Sequence, residues 1–199
     1  MKDFWNQRYS EPEYAYGTEP NAFFKSILDT LPPGRLLLPA EGQGRNGVYA
    51  ATRGWQVDAF DYSEVAREKA LALARERGVS IHYDLAEVES FSVPPRTYDA
   101  IGLIYVHLPP EVRTAFHRRL VEGLQPGGKI ILECFSKEQL RFNSGGPRDP
   151  RLLYRLDDLR EDFQELQEEL AVQEIVELSE GPYHRGKASV VRFVGCKSA

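Results

Sequence analysis

Short apolar runs alternate with longer amphipathic stretches along the 199-residue chain, and the hydrophobic period switches between the two spacings accordingly. Arg35 to Leu38 reads as a short strand opened by Pro32, Pro33 and Gly34. Asn46 to Arg53 reads as a helix ending before Gly54, and Gln56 to Phe60 as a second strand. Ser63 has the character of an N-cap. The helix after it sets Ala66, Ala70, Leu73 and Ala74 on one face and stops at Gly78. Val79 to Tyr83 and Ala100 to Val106 follow as strands, the second apolar throughout, as in a strand buried on both faces. Pro110 opens a helix striped by Val112, Phe116 and Leu120. Gln125-Pro126-Gly127-Gly128 closes it, and Lys129 to Phe135 is a fifth strand. After a loop rich in Gly, Pro and Arg from Lys137 to Arg151, the acidic run Asp157 to Leu170 reads as a helix. Val172 to Leu178 and Ala188 to Cys196 read as closing strands. The segment between them is too short for a helical crossover, so the last strand must run antiparallel. Strands separated by helices predict an α/β fold: a doubly wound, Rossmann-like, seven-stranded sheet, mostly parallel with an antiparallel last strand.

Composition narrows the class. With 42% hydrophobic and 28% charged residues, the chain suits one globular domain over 1–199, residues 1–30 forming an N-terminal lid and helix and 34–199 the core. A formal charge of −5 argues against a nucleic-acid binder. Two cysteines imply no disulfide framework and are too few for a structural zinc site, so no metal is expected. The longest purely apolar run is too short to span a bilayer, and the polar, aromatic N-terminus lacks the apolar core of a signal peptide. The expectation is a cytoplasmic protein without a membrane or nucleic-acid partner.

Residues 42–47, GQGRNG, follow a strand and open a helix, with Asp61 at the end of the second strand. Glycines in that place let the backbone turn tightly and approach a ligand, and the acid can accept from both ribose hydroxyls. A nucleotide-type ligand is the consequence; a plain tight turn is the alternative. Tyr183 and Lys187 have the spacing of a dehydrogenase pair, but Pro182 and Gly186 place them in a hairpin. No Lys-Ser or Lys-Thr follows the glycines, which argues against a Walker-type phosphate loop.

The chain resembles the class I S-adenosylmethionine-dependent methyltransferases over nearly its whole length. LPAEGQGRN at 38–46 looks like the first family motif, DYS at 61–63 the second, DL at 84–85 the third, YDAIGLIYVHLP at 98–109 the fourth and LQPGGKIILE at 124–133 the fifth-strand region. The WNQRY, YGTEPN and EGPYHRG segments are similar to the tellurite-resistance-type small-molecule branch. The first motif departs from the usual pattern at Leu38 and Ala40, with Glu41 the available acid. The resemblance implies S-adenosyl-L-methionine as cofactor. Its candidate contacts are Ala40, Glu41, Gly42, Gly44 and Asn46 in the first motif; Asp61 on the ribose, with Tyr62 and Ser63; Asp84 and Leu85 on the adenine; Tyr105; and Arg8 and Tyr16 from the N-terminal arm, a candidate aromatic lid.

In open α/β sheets ligands bind beyond the carboxyl ends of the strands. That rule selects His107 after the fourth strand and the hairpin carrying His184 and Arg185 as the methyl-acceptor site, with the Gln139 to Pro147 loop as a cover. His184 and His107 are candidate bases, Arg185 a candidate anion holder, and His184-Arg185 resemble the His-Arg pair of the tellurite-resistance branch. The expected partner is a small-molecule methyl acceptor, a thiol or a chalcogen oxyanion. The alternative is a module that binds S-adenosylmethionine without turnover. A nucleic-acid methyltransferase is disfavoured because Tyr105-Val106-His107-Leu108 stands where the Asn/Asp-Pro-Pro-Tyr/Phe sequence of base-modifying enzymes would fall.

Overall fold

A computed structural model describes residues 2–198; the first residue of the expected arm and the last of the expected core lie outside them. Seven strands form a sheet in the order β3-β2-β1-β4-β5-β7-β6, the doubly wound α/β topology expected from the sequence. The chain divides into two compact units.

The first unit comprises the chain through Phe91 together with Glu180–Tyr183. It contains α1 (Lys2–Tyr9), α2 (Ala22–Leu28), β1 (Arg35–Pro39), α3 (Arg45–Thr52), β2 (Gln56–Asp61), α4 (Glu64–Glu76) and β3 (His82–Leu85). β1, β2 and β3 pair in parallel, bringing Leu38 opposite Ala59 and Asp61 opposite Leu85. Ser63 caps α4, its hydroxyl accepting from the Ala66 N–H at 3.1 Å, and Ala66, Ala70, Leu73 and Ala74 form the buried face. The third strand starts at His82 instead of Val79. The Val79 N–H donates to the Ala74 carbonyl, so these residues still serve the end of α4.

The second unit comprises Ser92–Ser179 and the chain from His184 onward. It contains β4 (Tyr98–Ile104), α5 (Pro110–Gly123), β5 (Leu124–Phe135), two 3₁₀ turns (Lys137–Arg141 and Pro150–Leu152), α6 (Leu156–Asp162), β6 (Leu166–Glu180) except its last residue, and β7 (His184–Lys197). β4 and β5 are parallel with Ile104 opposite Glu133. β7 is antiparallel to β5 with Arg192 opposite Glu133 and Val190 opposite Phe135.

One expected element is different. The acidic helix over 157–170 stops at Asp162, and from Leu166 the same run is strand. Glu and Gln favour helix, but sheet context overrides so weak a preference. Glu174 pairs with Arg192 of the neighbouring β7, and Glu169 with Lys129 of β5.

Candidate functional site

In the first unit the β1–α3 loop turns through left-handed conformations at Ala40 (φ 48°), Gly42 (φ 62°) and Gly44 (φ 86°). At Gly44 a Cβ would come within 2.6 Å of the Ala70 Cβ, so this glycine lets the loop pack on α4. At Gly42 a Cβ would meet the Tyr9 hydroxyl at 2.9 Å. Asp61, 4% exposed, holds this loop: its Oδ2 accepts the Gly42 N–H at 3.2 Å and its Oδ1 the Ser63 N–H at 2.9 Å. Burial pushes its carboxyl above the usual range, and those N–H groups act against the shift. Tyr83 donates its hydroxyl to the Gly42 carbonyl at 2.6 Å.

Several residues selected from the sequence are occupied in building the loop. Glu41 Oε1 accepts the Asn46 and Gly47 N–H groups, each at 2.8 Å, capping α3 where orphan donors and the helix dipole favour a carboxylate. Burial raises its pKa to about 7. Asn46 in turn accepts the Asn21 N–H at 2.9 Å. The Ser63 hydroxyl caps α4 and donates to Asn6 Oδ1 at 2.5 Å. Glu41, Asn46 and Ser63 therefore help to fix the loop from behind.

The arm is packed against this unit. Tyr9 and Ala15 are buried in one cluster with Ala66, and Trp5, Tyr16 and Tyr183 flank it. The Arg8 guanidinium lies 4.0 Å from the Tyr183 ring centroid and 4.7 Å from that of Phe4, and donates to the Tyr16 hydroxyl at 3.4 Å. Arg8 and Tyr16 are thus engaged with each other and with aromatic rings of the arm. Tyr62 is half-buried, the Asp84 carboxylate is 49% exposed beside His82, and Leu85 is 43% exposed.

Sequence reasoning missed Gln43. Its Oε1 accepts the Ala15 N–H at 2.7 Å, which fixes the amide orientation, and its Nε2 is buried without a hydrogen-bond partner among the described residues. A buried donor left unmade costs about 1–3 kcal/mol. The only signal in the sequence was its position between the two glycines.

In the second unit β4 ends in a strained turn, Tyr105 having φ 55°. The Tyr105 hydroxyl donates to Glu133 Oε1 at 2.9 Å, and Arg192 Nε donates to Glu133 Oε2 at 2.5 Å. His107 follows. Its Nδ1 lies 2.9 Å from the Leu152 carbonyl, which can only accept, so Nδ1 carries the proton. Nε2 then presents a lone pair, buried and without a partner among the described residues. The ring lies parallel to Phe135, centroids 5.7 Å apart, with Tyr154 edge-on at 6.1 Å. Burial lowers the His107 pKa to about 4, assisted by His184 and opposed by the Leu152 carbonyl. His184 packs edge-on to Tyr105 at 4.6 Å and to Phe135 at 5.3 Å. Tyr105 thus packs with the two histidines.

His184 and Arg185, neighbours at the start of β7, differ in burial. Successive residues of β7 face opposite sides; His184 is buried and Arg185 exposed. The Gln139 to Pro147 loop is knitted down by Gln139, which accepts the Ser189 N–H at 2.8 Å and donates to the Ser144 hydroxyl at 3.0 Å.

Comparison with known proteins agrees with this architecture. Residues 39–128 match the family model of the methyltransferase domain. The chain is 24% identical over 144 residues to a 2-heptyl-1-hydroxyquinolin-4(1H)-one methyltransferase of Mycobacteroides abscessus, covering 71% of this chain and 63% of that protein. It spans less than two thirds of the length of the curated relatives it matches. A structure solved for the conversion of a disulfide bond into a thioacetal group during echinomycin biosynthesis superposes with a TM-score of 0.81 at 14% identity, over 100% of this chain and 92% of that one. TehB from Haemophilus influenzae superposes with a TM-score of 0.74 at 17% identity, over 99% and 67%. The matched segment is a methyltransferase domain, and the fold is shared with a solved N-methyltransferase in complex with S-adenosyl-l-homocysteine, so S-adenosyl-L-methionine is the cofactor against which the site is tested. Among the described residues no helix is long and apolar enough to cross a membrane, and no cluster of three or more His, Cys, Asp or Glu residues suits a metal ion.

The first unit's residues suit that cofactor. Gln43 Nε2 is a donor awaiting an acceptor, as a methionine carboxylate provides. The Asp61 oxygens retain lone-pair capacity beyond their two N–H bonds. Asp84, Leu85 and Tyr62 offer an exposed acceptor and apolar surface.

Proposed function

We propose that this protein catalyses methyl transfer from S-adenosyl-L-methionine to a small-molecule nucleophile. The observation that carries the reading is the matched methyltransferase domain, with its left-handed glycine loop tied to a buried Asp61. Gln43, Gly42, Gly44, Asp61, Tyr62, Asp84 and Leu85 would hold the cofactor, with Ala40 shaping the loop. Bound there, the cofactor supplies an electrophilic methyl group on a sulfonium. The chain's own part in a direct displacement is alignment, exclusion of water, and acceptance of a proton if the nucleophile arrives protonated. His107 and His184, among the rings of Tyr105 and Phe135, are the acceptor-side groups.

A small acceptor is supported by the name of the M. abscessus relative, a methyltransferase of a hydroxyquinolinone, and by the net charge of −5. The likeness to TehB keeps a chalcogen oxyanion among the candidates, and the thioacetal structure a sulfur acceptor. Calorimetry with S-adenosylhomocysteine tests the cofactor assignment. The wild type binds, and Asp61→Ala weakens binding by at least about 1.5 kcal/mol, the scale of a hydrogen bond to a charged group. Tighter binding of NAD than of S-adenosylhomocysteine would overturn it.

A further inference from the structure

We propose that His82 is a positioning residue for cofactor binding: protonated, it holds the Asp84 carboxylate and competes for it with the amino group of an adenine. This inference rests on the methyltransferase reading above, in which Asp84 is an adenine contact, and adds the side chain and the proton that regulate that contact. Every residue involved lies in the first unit. His82 stands opposite Asp58 in the parallel pairing of β2 with β3, and Asp84, two residues further along β3, shares its face. The imidazole lies between the two carboxylates, with Nδ1 3.4 Å from Asp58 Oδ1 and Nε2 3.5 Å from Asp84 Oδ1. From β1, Arg35 Nε donates to the other oxygen of Asp58 at 2.8 Å. From α4, Arg67 turns to the Tyr83 carbonyl at 3.1 Å. The charged groups beside His82 are therefore Asp58 and Asp84, with Arg35 beyond Asp58. The His82 side chain is 65% exposed and that of Asp84 49%, so a ligand reaches this pair from solvent.

Protonation decides what the ring can hold. An imidazolium donates from both nitrogens and serves both carboxylates; a neutral ring has a single N–H. Asp58 is the less exposed carboxylate, 10% against 49%, so an unmade bond costs more there and the remaining proton stays on Nδ1. Nε2 then turns a lone pair to Asp84 and no longer holds it. Histidine is the side chain that changes charge between pH 5 and 8. Acid therefore engages Asp84 with His82, and higher pH leaves it able to accept from an adenine amino group. Linkage requires the converse: a ligand donor that occupies Asp84 favours loss of the proton from His82. The pair is solvent-exposed, so the effect is modest, about threefold to fivefold in affinity. An unsubstituted purine, which lacks the amino group, offers Asp84 no such donor and should not sense the proton.

The test measures binding to the full chain by calorimetry at about pH 5.5 and about pH 7.5, on either side of the imidazole charge change. The probes are S-adenosylhomocysteine and its analogue with unsubstituted purine in place of adenine. The wild type is expected to bind S-adenosylhomocysteine about threefold more tightly at the higher pH, relative to any change for the purine analogue. Glu41, whose pKa burial raises to about 7, titrates in the same range at the glycine loop, but it acts on both ligands alike and the comparison removes its share. His82→Phe cannot carry the charge. It is expected to lose the adenine-specific gain and to bind at both pH values as the wild type does at the higher one. His82→Lys, charged throughout, is expected to bind at both as the wild type does in acid. A purely structural His82 would move both ligands equally at either pH. An adenine-specific gain that persists in His82→Phe, a purine analogue that shares the wild-type gain in full, or tighter binding in acid overturns the inference. Failure of the wild type to bind S-adenosylhomocysteine at either pH overturns the methyltransferase reading as well, so the two failures are distinct. Should a variant not fold, the wild-type comparison of the two bases decides alone.

Discussion

Replacing Asp162 should remove the polar clasp that holds α5 to α6, and its cost should carry a pH signature. Asp162 is 4% exposed. Its Oδ2 accepts from Arg113 Nε at 2.6 Å and from His117 Nδ1 at 2.9 Å, and its Oδ1 accepts from the Thr114 hydroxyl at 2.7 Å. Burial opposes the charge, but these donors overcome it and hold the carboxyl at about 2 instead of its ordinary 3.8. That displacement corresponds to about 2.5 kcal/mol of folded-state preference for the carboxylate. Because the folded pKa is depressed, the contribution is complete above the unfolded pKa near 4 and disappears as pH falls toward 2. Burial also lowers the His117 pKa, so its share likewise falls as acid protonates the unfolded chain first. Asp162→Ala leaves a buried guanidinium and imidazole without their acceptor, which costs about 3–5 kcal/mol at pH 7. The damage should reach His107, because Arg113 lies 5.2 Å from the Tyr154 ring, and Tyr154 holds both the Val106 carbonyl and the Leu108 N–H. Urea unfolding followed by tryptophan fluorescence, from pH 7 down to the acid limit, measures both effects. Asp162→Asn should lose the part of the wild type's acid limb that falls between about pH 4 and pH 2. A cost below about 1 kcal/mol for Asp162→Ala, or an acid limb unchanged in Asp162→Asn, would refute the argument.

Other outcomes are equally direct. Gly44→Ala should destabilise the protein and abolish cofactor binding, since φ is 86° and the new Cβ would sit 2.6 Å from Ala70; unchanged binding by calorimetry would show that the loop is not the cradle. Ser63→Ala removes the α4 cap and the tie to Asn6 and should cost about 1 kcal/mol in urea melts. Gln43→Leu removes the buried Nε2 and should weaken S-adenosylhomocysteine at least about tenfold if that donor meets the carboxylate; equal affinity would assign Gln43 to packing alone. Arg185→Ala, on the exposed face of β7, should leave transfer rates within about twofold while His184→Ala lowers them.

Local information was enough for the glycine loop, the Ser63 cap and the buried strand after Tyr98, because each depends on residues adjacent in the chain. Left-handed turns need glycine, a helix start needs a hydroxyl or carboxylate, and a strand covered on both faces needs an apolar run. The topology was legible for the same reason: a short link between the last two strands leaves only an antiparallel return. Tertiary structure decided what local preference could not. The acidic run after Asp162 became β6, where Arg192 of β7 and Lys129 of β5 meet its carboxylates. Glu41, Asn46 and Ser63 read as ligand contacts by position, and the fold brings them backbone N–H and side-chain partners that position alone did not show. Gln43 and His107 acquired their buried, unsatisfied atoms only through packing of distant segments, Ala15 on the one and Leu152 on the other. Side-chain pattern sets which elements form. Which polar atoms remain unmatched inside them is a property of three-dimensional contact.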